Sequence, residues 1–466
     1  MQSANFKVES KFKVRALLRT YFALSTLYFA LAPVWAAERV AIIEAAKNAD
    51  QAAVRALIAK GADVNAVEPD GTTALHWASY RDDVESADAM LKAGAKVNSA
   101  NDLGATPLWI ASLNGSAAMV RRLLQAGANP NAALLLGETP VMVASRSGST
   151  EVVEQLLAKG ANVNARAARG QTALMWAVAQ NHPGVVKVLL AGGADVHAKS
   201  DVWSQVMAVP PHGLLEYNRA IPHGGDTALM FAARVGDLDS AKLLVAAGAN
   251  VNDADAWGVS ATVLAAHSGY TDIVEFLLDR GADSNAAAAG FSALHAAIMH
   301  RDEKMVAALL AHGADPNAPL QTWTPTRRSS KDFNFAPELV GATPFWLAAR
   351  FTEPEVMRLL VKHGANPLVV HRAEYADLSQ TRRTQVTTPL MAAVGMGGGV
   401  AWVQPNPATW EALILEAVKL AVDLGVDLNA ANADGRTALD AATAFHYETV
   451  VKFLVEKGGR PGVKKN

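Results

Sequence analysis

Four residues close together in the chain hold the donor atoms that a metal ion takes: His212, Glu216, His223 and Asp226. Imidazole and carboxylate ligands of this kind suit zinc. Their spacing follows no tight ligand motif, and the Pro and Gly residues around them mark ordinary loop, so no metal is expected. Gly395, Gly397, Gly398 and Gly399 are a second candidate, a backbone cradle for phosphate. Such a loop follows a strand and ends in Lys-Ser/Thr, and neither signal is present. No HExxH or GxSxG segment occurs. The chain has no cysteine. That removes thiolate nucleophiles, disulfides, Cys-held metal clusters and a lipid anchor on Cys. The expectation is no catalytic residue, no metal and no cofactor. The alternative left open is an envelope enzyme or small-ligand receptor whose site is built by loop insertions.

The elements that position side chains follow from composition and period. Of 466 residues, 51% are apolar, 6% aromatic and 18% charged. Ala, Leu and Val therefore dominate, which suits close packing of helices rich in small residues. The formal net charge is −2, too small to drive the whole chain onto nucleic acid or an anionic membrane. Residues 7–19 carry Lys7, Lys11, Lys13, Arg15 and Arg19 against Glu9. An apolar run, Tyr21 to Ala32, and a small-residue site at Val34-Trp35-Ala36 follow. This order reads as a secretory signal peptide over 1–36, too short in its apolar core to span a membrane. Removing its five basic residues and one acid from 42 and 44 leaves 37 against 43, a net of −6. The expected location is the periplasm or the medium.

Self-similarity then organises the rest. Thr73, Thr106, Thr139 and Thr172 open the segments TALHWA, TPLWIA, TPVMVA and TALMWA at a period of 33 residues. Further copies start at Thr227, Ser260, Ser292, Thr343, Thr388 and Thr437. Eleven glycines, from Gly61 to Gly458, close the units in a GA(D/N)xN pattern or a worn copy of it. The Thr or Ser oxygen suits a helix N-cap. Pro in the next position loses nothing by lacking an N–H. Second segments such as EVVEQLLAKG (151–160) carry apolar residues along one helical face, and the closing Gly suits a left-handed turn.

These units resemble ankyrin repeats, a hairpin or turn followed by two antiparallel helices. The resemblance implies a curved all-α repeat solenoid of about eleven ankyrin repeats over 37–463, whose stacked units share one core. The family's usual His in the fourth segment position stands only at His76 and His295. Both are expected to be structural. At Trp109, Met142, Met175, Met230, Val263, Trp346, Met391 and Asp440 the local hydrogen bond is expected to give way to packing.

Four insertions break the period, near 200–223, 318–340, 370–386 and 395–410. The first three sit where ankyrin hairpins project, and the fourth lies inside a helix–loop–helix. Trp203, Trp323, Trp402 and Trp410 lie in them, with Tyr217, Phe333, Phe335 and Tyr375. Trp77, Trp109, Trp176 and Trp346 lie in first-helix segments and are expected in the core.

The resemblance further implies that the chain binds a protein through a concave surface made of hairpin tips and first-helix ends, and that it is not an enzyme. Read that way, the binding residues are Tyr80, Arg81, Asn114, Arg146, Arg234, His267, His300, Arg350 and Phe351 at helix ends. Arg169 and Trp257 join from hairpins, and Trp203, Tyr217, Trp323, Arg327 and Arg328 from insertions. The groove is basic on an acidic body, so the expected partner is a protein with an acidic surface. No nucleic acid and no membrane span are expected in the mature chain, which is read as a monomer. A purely structural spacer is the third reading.

Overall fold

Eight of the ten Thr or Ser segment starts accept a backbone N–H from three residues ahead through the side-chain oxygen, at 3.2–3.4 Å. Each therefore begins a helix with one of its orphan donors satisfied. The computed structural model describes residues 37–208, 218–324, 334–377 and 379–463. Among them are twenty-two α-helices, arranged as eleven pairs, here called repeats 1–11. Repeat 1 is Ala37–Lys47 and Gln51–Ala59, and repeat 2 is Ala74–Arg81 and Val84–Lys92. The same short-helix pairing continues to repeat 11, Ala438–Ala444 and Glu448–Glu456. The closing glycines all adopt positive φ, 81–98°, and a Cβ at Gly160 would meet nothing within 4 Å. Backbone conformation alone selects glycine there.

The chain divides into two compact units. One runs to Pro140 and includes Ala158–Ala161; the other holds Val141–Leu157 and Asn162–Asn466. Inside each, the Asn of the closing turn joins neighbouring repeats. In the first unit, Asn65 Nδ2 donates to Gly94 O at 3.2 Å and Asn65 Oδ1 accepts from Lys96 N at 2.8 Å. In the second, Asn252 and Asn285 do the same with Gly281 and Asp283, and with Gly313 and Asp315. Asn317 reaches past the second insertion to Gly364 O (2.9 Å) and Asn366 N (2.7 Å). The insertion is thus looped out without disturbing the link. His197 and Leu368 stand where the Asn belongs, and those two places precede the first and third insertions.

Those two insertions form antiparallel hairpins. β1 (Trp203–Ala208) pairs with β2 (Asn218–His223). β3 (His371–Ala376) pairs with β4 (Arg382–Thr387). The second insertion contains a short 3₁₀ turn, Pro337–Leu339. The fourth falls between the two helices of repeat 10, Pro389–Ala393 and Trp410–Asp423. No described helix is long and apolar enough to cross a membrane.

His76 and His295 are structural. Nδ1 of His76 accepts from Thr73 N (3.1 Å) and Nε2 donates to Ala105 O (2.9 Å). His295 repeats this with Ser292 N (3.1 Å) and Ala318 O (3.0 Å). Asp440 corrects the expectation for its position. Its Oδ2 accepts from Thr437 N and Gly462 N, both at 2.8 Å, so a carboxylate keeps the cap that the apolar residues lose.

Candidate functional site

The ends of the first helices carry carbonyls with no partner inside the helix, and side chains from the next repeat satisfy many of them. Arg81 Nε donates to Lys47 O at 2.7 Å. Asn114 Nδ2 donates to Ser79 O (3.2 Å) and Tyr80 O (3.0 Å). His182 Nε2 donates to Arg146 O (3.2 Å), and His300 Nε2 to His267 O (2.8 Å). Arg81, Asn114 and His300 are therefore inter-repeat caps before they are anything else. Tyr80 lies half-buried under the Arg81 guanidinium, 5.8 Å from ring centroid to Cζ.

Three cation–aromatic arrangements occupy the surface of repeats 4–6. The Arg146 guanidinium lies 4.8 Å over the Trp176 ring. Trp176 is half-buried, not the core residue its segment suggests, and its Nε1 donates to Gln171 Oε1 at 3.0 Å. Arg169, exposed and at a φ of 61°, lies 4.4 Å over Trp203, whose other neighbour is His223, stacked at 4.4 Å and 19°. Asp201 beside them pairs with Arg166 at 2.8 Å. Arg234 donates to Asp226 at 2.8 Å and lies over Phe231. Burial pushes the nearby Asp255 carboxyl up against the pull of the Val259 and Trp257 N–H groups. His223 therefore stacks on Trp203, and Asp226 pairs with Arg234. Among the described residues no three potential ligands cluster as a metal requires. His212, Glu216, Tyr217, Arg327, Arg328 and Phe333 lie outside the described residues.

Repeats 7–9 differ, because the insertions cover them. Trp402 meets His267 and His300 edge-on, each at 4.9 Å, and Phe335 at 5.1 Å. Its backbone N–H donates to Met299 O (3.0 Å) and its Nε1 to Asn334 O (2.9 Å). Phe335 is fully buried and Trp323 is 9% exposed, packed on Ala376 and Val340. Phe351 is buried, and Arg301 donates to its carbonyl. Arg350 donates to Gly397 O (3.2 Å) and Gly399 O (3.0 Å). Of the residues read as protein-binding, Trp323 and Phe351 are thus buried and Arg350 is half-buried, each packed against an insertion. Trp257 rests on Phe291 at 5.7 Å. It shares with Trp323 and Glu374 an open cleft of about 490 Å³.

A family model described as "Ankyrin repeats (3 copies)" matches residues 42–134, 131–200 and 229–319, more than half of the chain. The chain belongs to the ankyrin-repeat family. Further ankyrin-repeat models match 340–372 and 415–455. The stretches left between these matches are those carrying the insertions. Ankyrin repeats mediate protein–protein interaction, and the fold is typically a non-enzymatic scaffold. The chain is 28% identical over 244 residues to a "Putative palmitoyltransferase ZDHHC13" of Danio rerio, covering 48% of this chain and 33% of that protein. It thus spans a third of the length of that relative. It is also similar to the human ASB11 ankyrin repeat domain, at 32% identity and a TM-score of 0.44, covering 52% of this chain and 98% of that one.

Proposed function

We propose that this ankyrin-repeat chain is a non-enzymatic scaffold that docks a protein partner on the surface of repeats 4–6 and on the β1–β2 hairpin. The observation that carries it is the exposure of that hairpin. Val202 and Val206 are 64% and 68% exposed, beside the stacked Arg169–Trp203–His223 column. Trp and Arg dominate binding hot spots, and here they stand with apolar flanks. The exposed guanidiniums of Arg169 and Arg234 favour a partner with an acidic surface, tuning its on-rate more than its affinity. On the leader in residues 1–36, the compartment is the periplasm or the medium.

The test is a pull-down from the exported fraction, followed by affinity measurement on two variants of retained fold. One replaces 203–223 by a short turn; the other is Arg146→Ala with Arg234→Ala. The hairpin deletion should weaken binding at least tenfold. The double change should act less and flatten the salt dependence. Unchanged affinity after hairpin deletion would sink the docking reading. N-terminal sequencing of exported material should begin at Ala37 or Glu38; an intact Met1 in a membrane pellet would overturn the cleaved-leader reading.

A further inference from the structure

Arg350 sits in a second pocket, of about 260 Å³, between the ends of the first helices of repeats 9 and 11 and the fourth insertion. It is the one charged side chain among the lining residues. The walls are rings and aliphatics: Phe351, Val400, Trp410, Phe445 and Tyr447. Two guanidinium N–H groups go to the Gly397 and Gly399 carbonyls. Of the five that arginine carries, the others have no partner among the described residues. Among the described residues no carboxylate stands within ion-pair distance of Arg350. Glu338 accepts from Gly399 N (3.2 Å), and Glu411 accepts from Thr449 N (3.1 Å). Burial lowers the Arg350 pKa, against the opposing pull of Glu338.

A cation withdrawn from water without a directly paired carboxylate is costly, and a planar carboxylate restores two parallel hydrogen bonds at once. The pocket mouth adds a second demand. Phe445 is 51% exposed and Val400 70%, and Trp410 and Val403 are exposed beside them. An apolar rim of this kind around a pocket marks a binding surface. The two demands together call for an anion at depth joined to an apolar body at the rim.

We propose that this pocket captures the C-terminal carboxylate of a partner polypeptide whose last side chains are apolar, with Arg350 as the carboxylate ligand and Phe445, Trp410 and Val400 as the apolar walls. A peptide terminus supplies both features in one residue, and its preceding residues extend over Val400 and Val403. Only the choice of a peptide over a small acid rests on the protein-binding reading above. The site is separate from the β1–β2 hairpin, so either can fail alone.

The test uses the full chain and a fluorescein-labelled hexapeptide, Gly-Ser-Gly-Ala-Leu-Phe, as the free acid and as the C-terminal amide, read by polarisation. The free acid should bind at least tenfold more tightly than the amide. Arg350→Gln should bring the acid down to the amide's level and leave the amide unchanged. Phe445→Ala, at a half-exposed ring, should weaken both forms. Equal binding of acid and amide, or binding of neither, overturns the proposal without any variant having to fold. Full displacement of the peptide by 4-phenylbutyrate at equal concentration would overturn the peptide assignment in favour of a small carboxylic acid.

Discussion

The first insertion and the interlocked second and fourth insertions carry similar residues and use them differently. In the first, Trp203 is half-buried between Arg169 and His223. This insertion is tied to the repeats at its base: Asp201 N donates to Arg169 O at 2.8 Å, Asp201 pairs with Arg166, and Ile221 is buried, while Val202 and Val206 stay exposed. In the other pair, Phe335 and Trp402 pack on each other and on His267, His295 and His300. Aromatic content alone does not separate a docking loop from a staple. The β1–β2 hairpin satisfies its backbone by pairing with itself, whereas the irregular fourth insertion sends its carbonyls and N–H groups to whatever lies beneath. Met299 O, Arg350 and Gln385 are those partners for the fourth insertion.

The largest effect separating the two regions should come from Phe335. Phe335→Ala should cost about 3–5 kcal/mol, because the ring is fully buried between two insertions and a first helix. Denaturant unfolding of the full chain checks this. A change below about 1 kcal/mol would mean that the second insertion is not a staple.

His295 gives the next effect and sharpens the first. Burial lowers its pKa from 6.5 to about 4. Below pH 6.5 the unfolded chain gains a proton that the folded His295 refuses until about pH 4. Stability therefore falls as pH is lowered through that window, by roughly 3 kcal/mol. His295→Gln should flatten the dependence of the urea midpoint on pH between 7 and 4.5. Since Phe335 covers this imidazole edge-on at 6.4 Å, Phe335→Ala should also raise the His295 pKa toward 6.5. An NMR titration that leaves it unmoved would show that the insertion does not desolvate the ring.

The repeat architecture was legible because each turn requires a particular residue locally. Thr and Ser caps, left-handed glycines and small first-helix residues are dictated within one repeat, so the period exposed them. Asp440 was misread because a carboxylate and an imidazole accept the same N–H, which a comparison of residue types hides. The Asn of the GA(D/N)xN pattern has its partners about thirty residues ahead, beyond the reach of any local reading. Least legible was the fate of the insertions. Whether Arg350 faces solvent depends on where Gly397 and Gly399 lie, and no local pattern specifies that. Glu353 is the same lesson in the core. It is 5% exposed, its Oε1 has no hydrogen-bond partner, and burial, opposed by Arg301, raises its pKa well above the usual range. Nothing in its tetrapeptide announces this.

The smallest effects on stability should come from the first insertion, and there the comparison is most exposed to failure. An exposed cation–π contact contributes about 0.5–1 kcal/mol, so Arg169→Ala should lower stability by no more than that. Arg169 also sits at positive φ, where replacement by Gly relieves the backbone; Arg169→Gly should then be at least as stable as Arg169→Ala. Val206→Ser, on an exposed strand position, should stay within about 0.5 kcal/mol of the parent. If the hairpin is a docking element, these near-silent substitutions should nevertheless reduce partner affinity, with Val206→Ser acting through lost apolar contact and so independent of salt. If instead Val206→Ser destabilises the fold by as much as Phe335→Ala, the hairpin is a staple too, and the contrast between the two regions disappears.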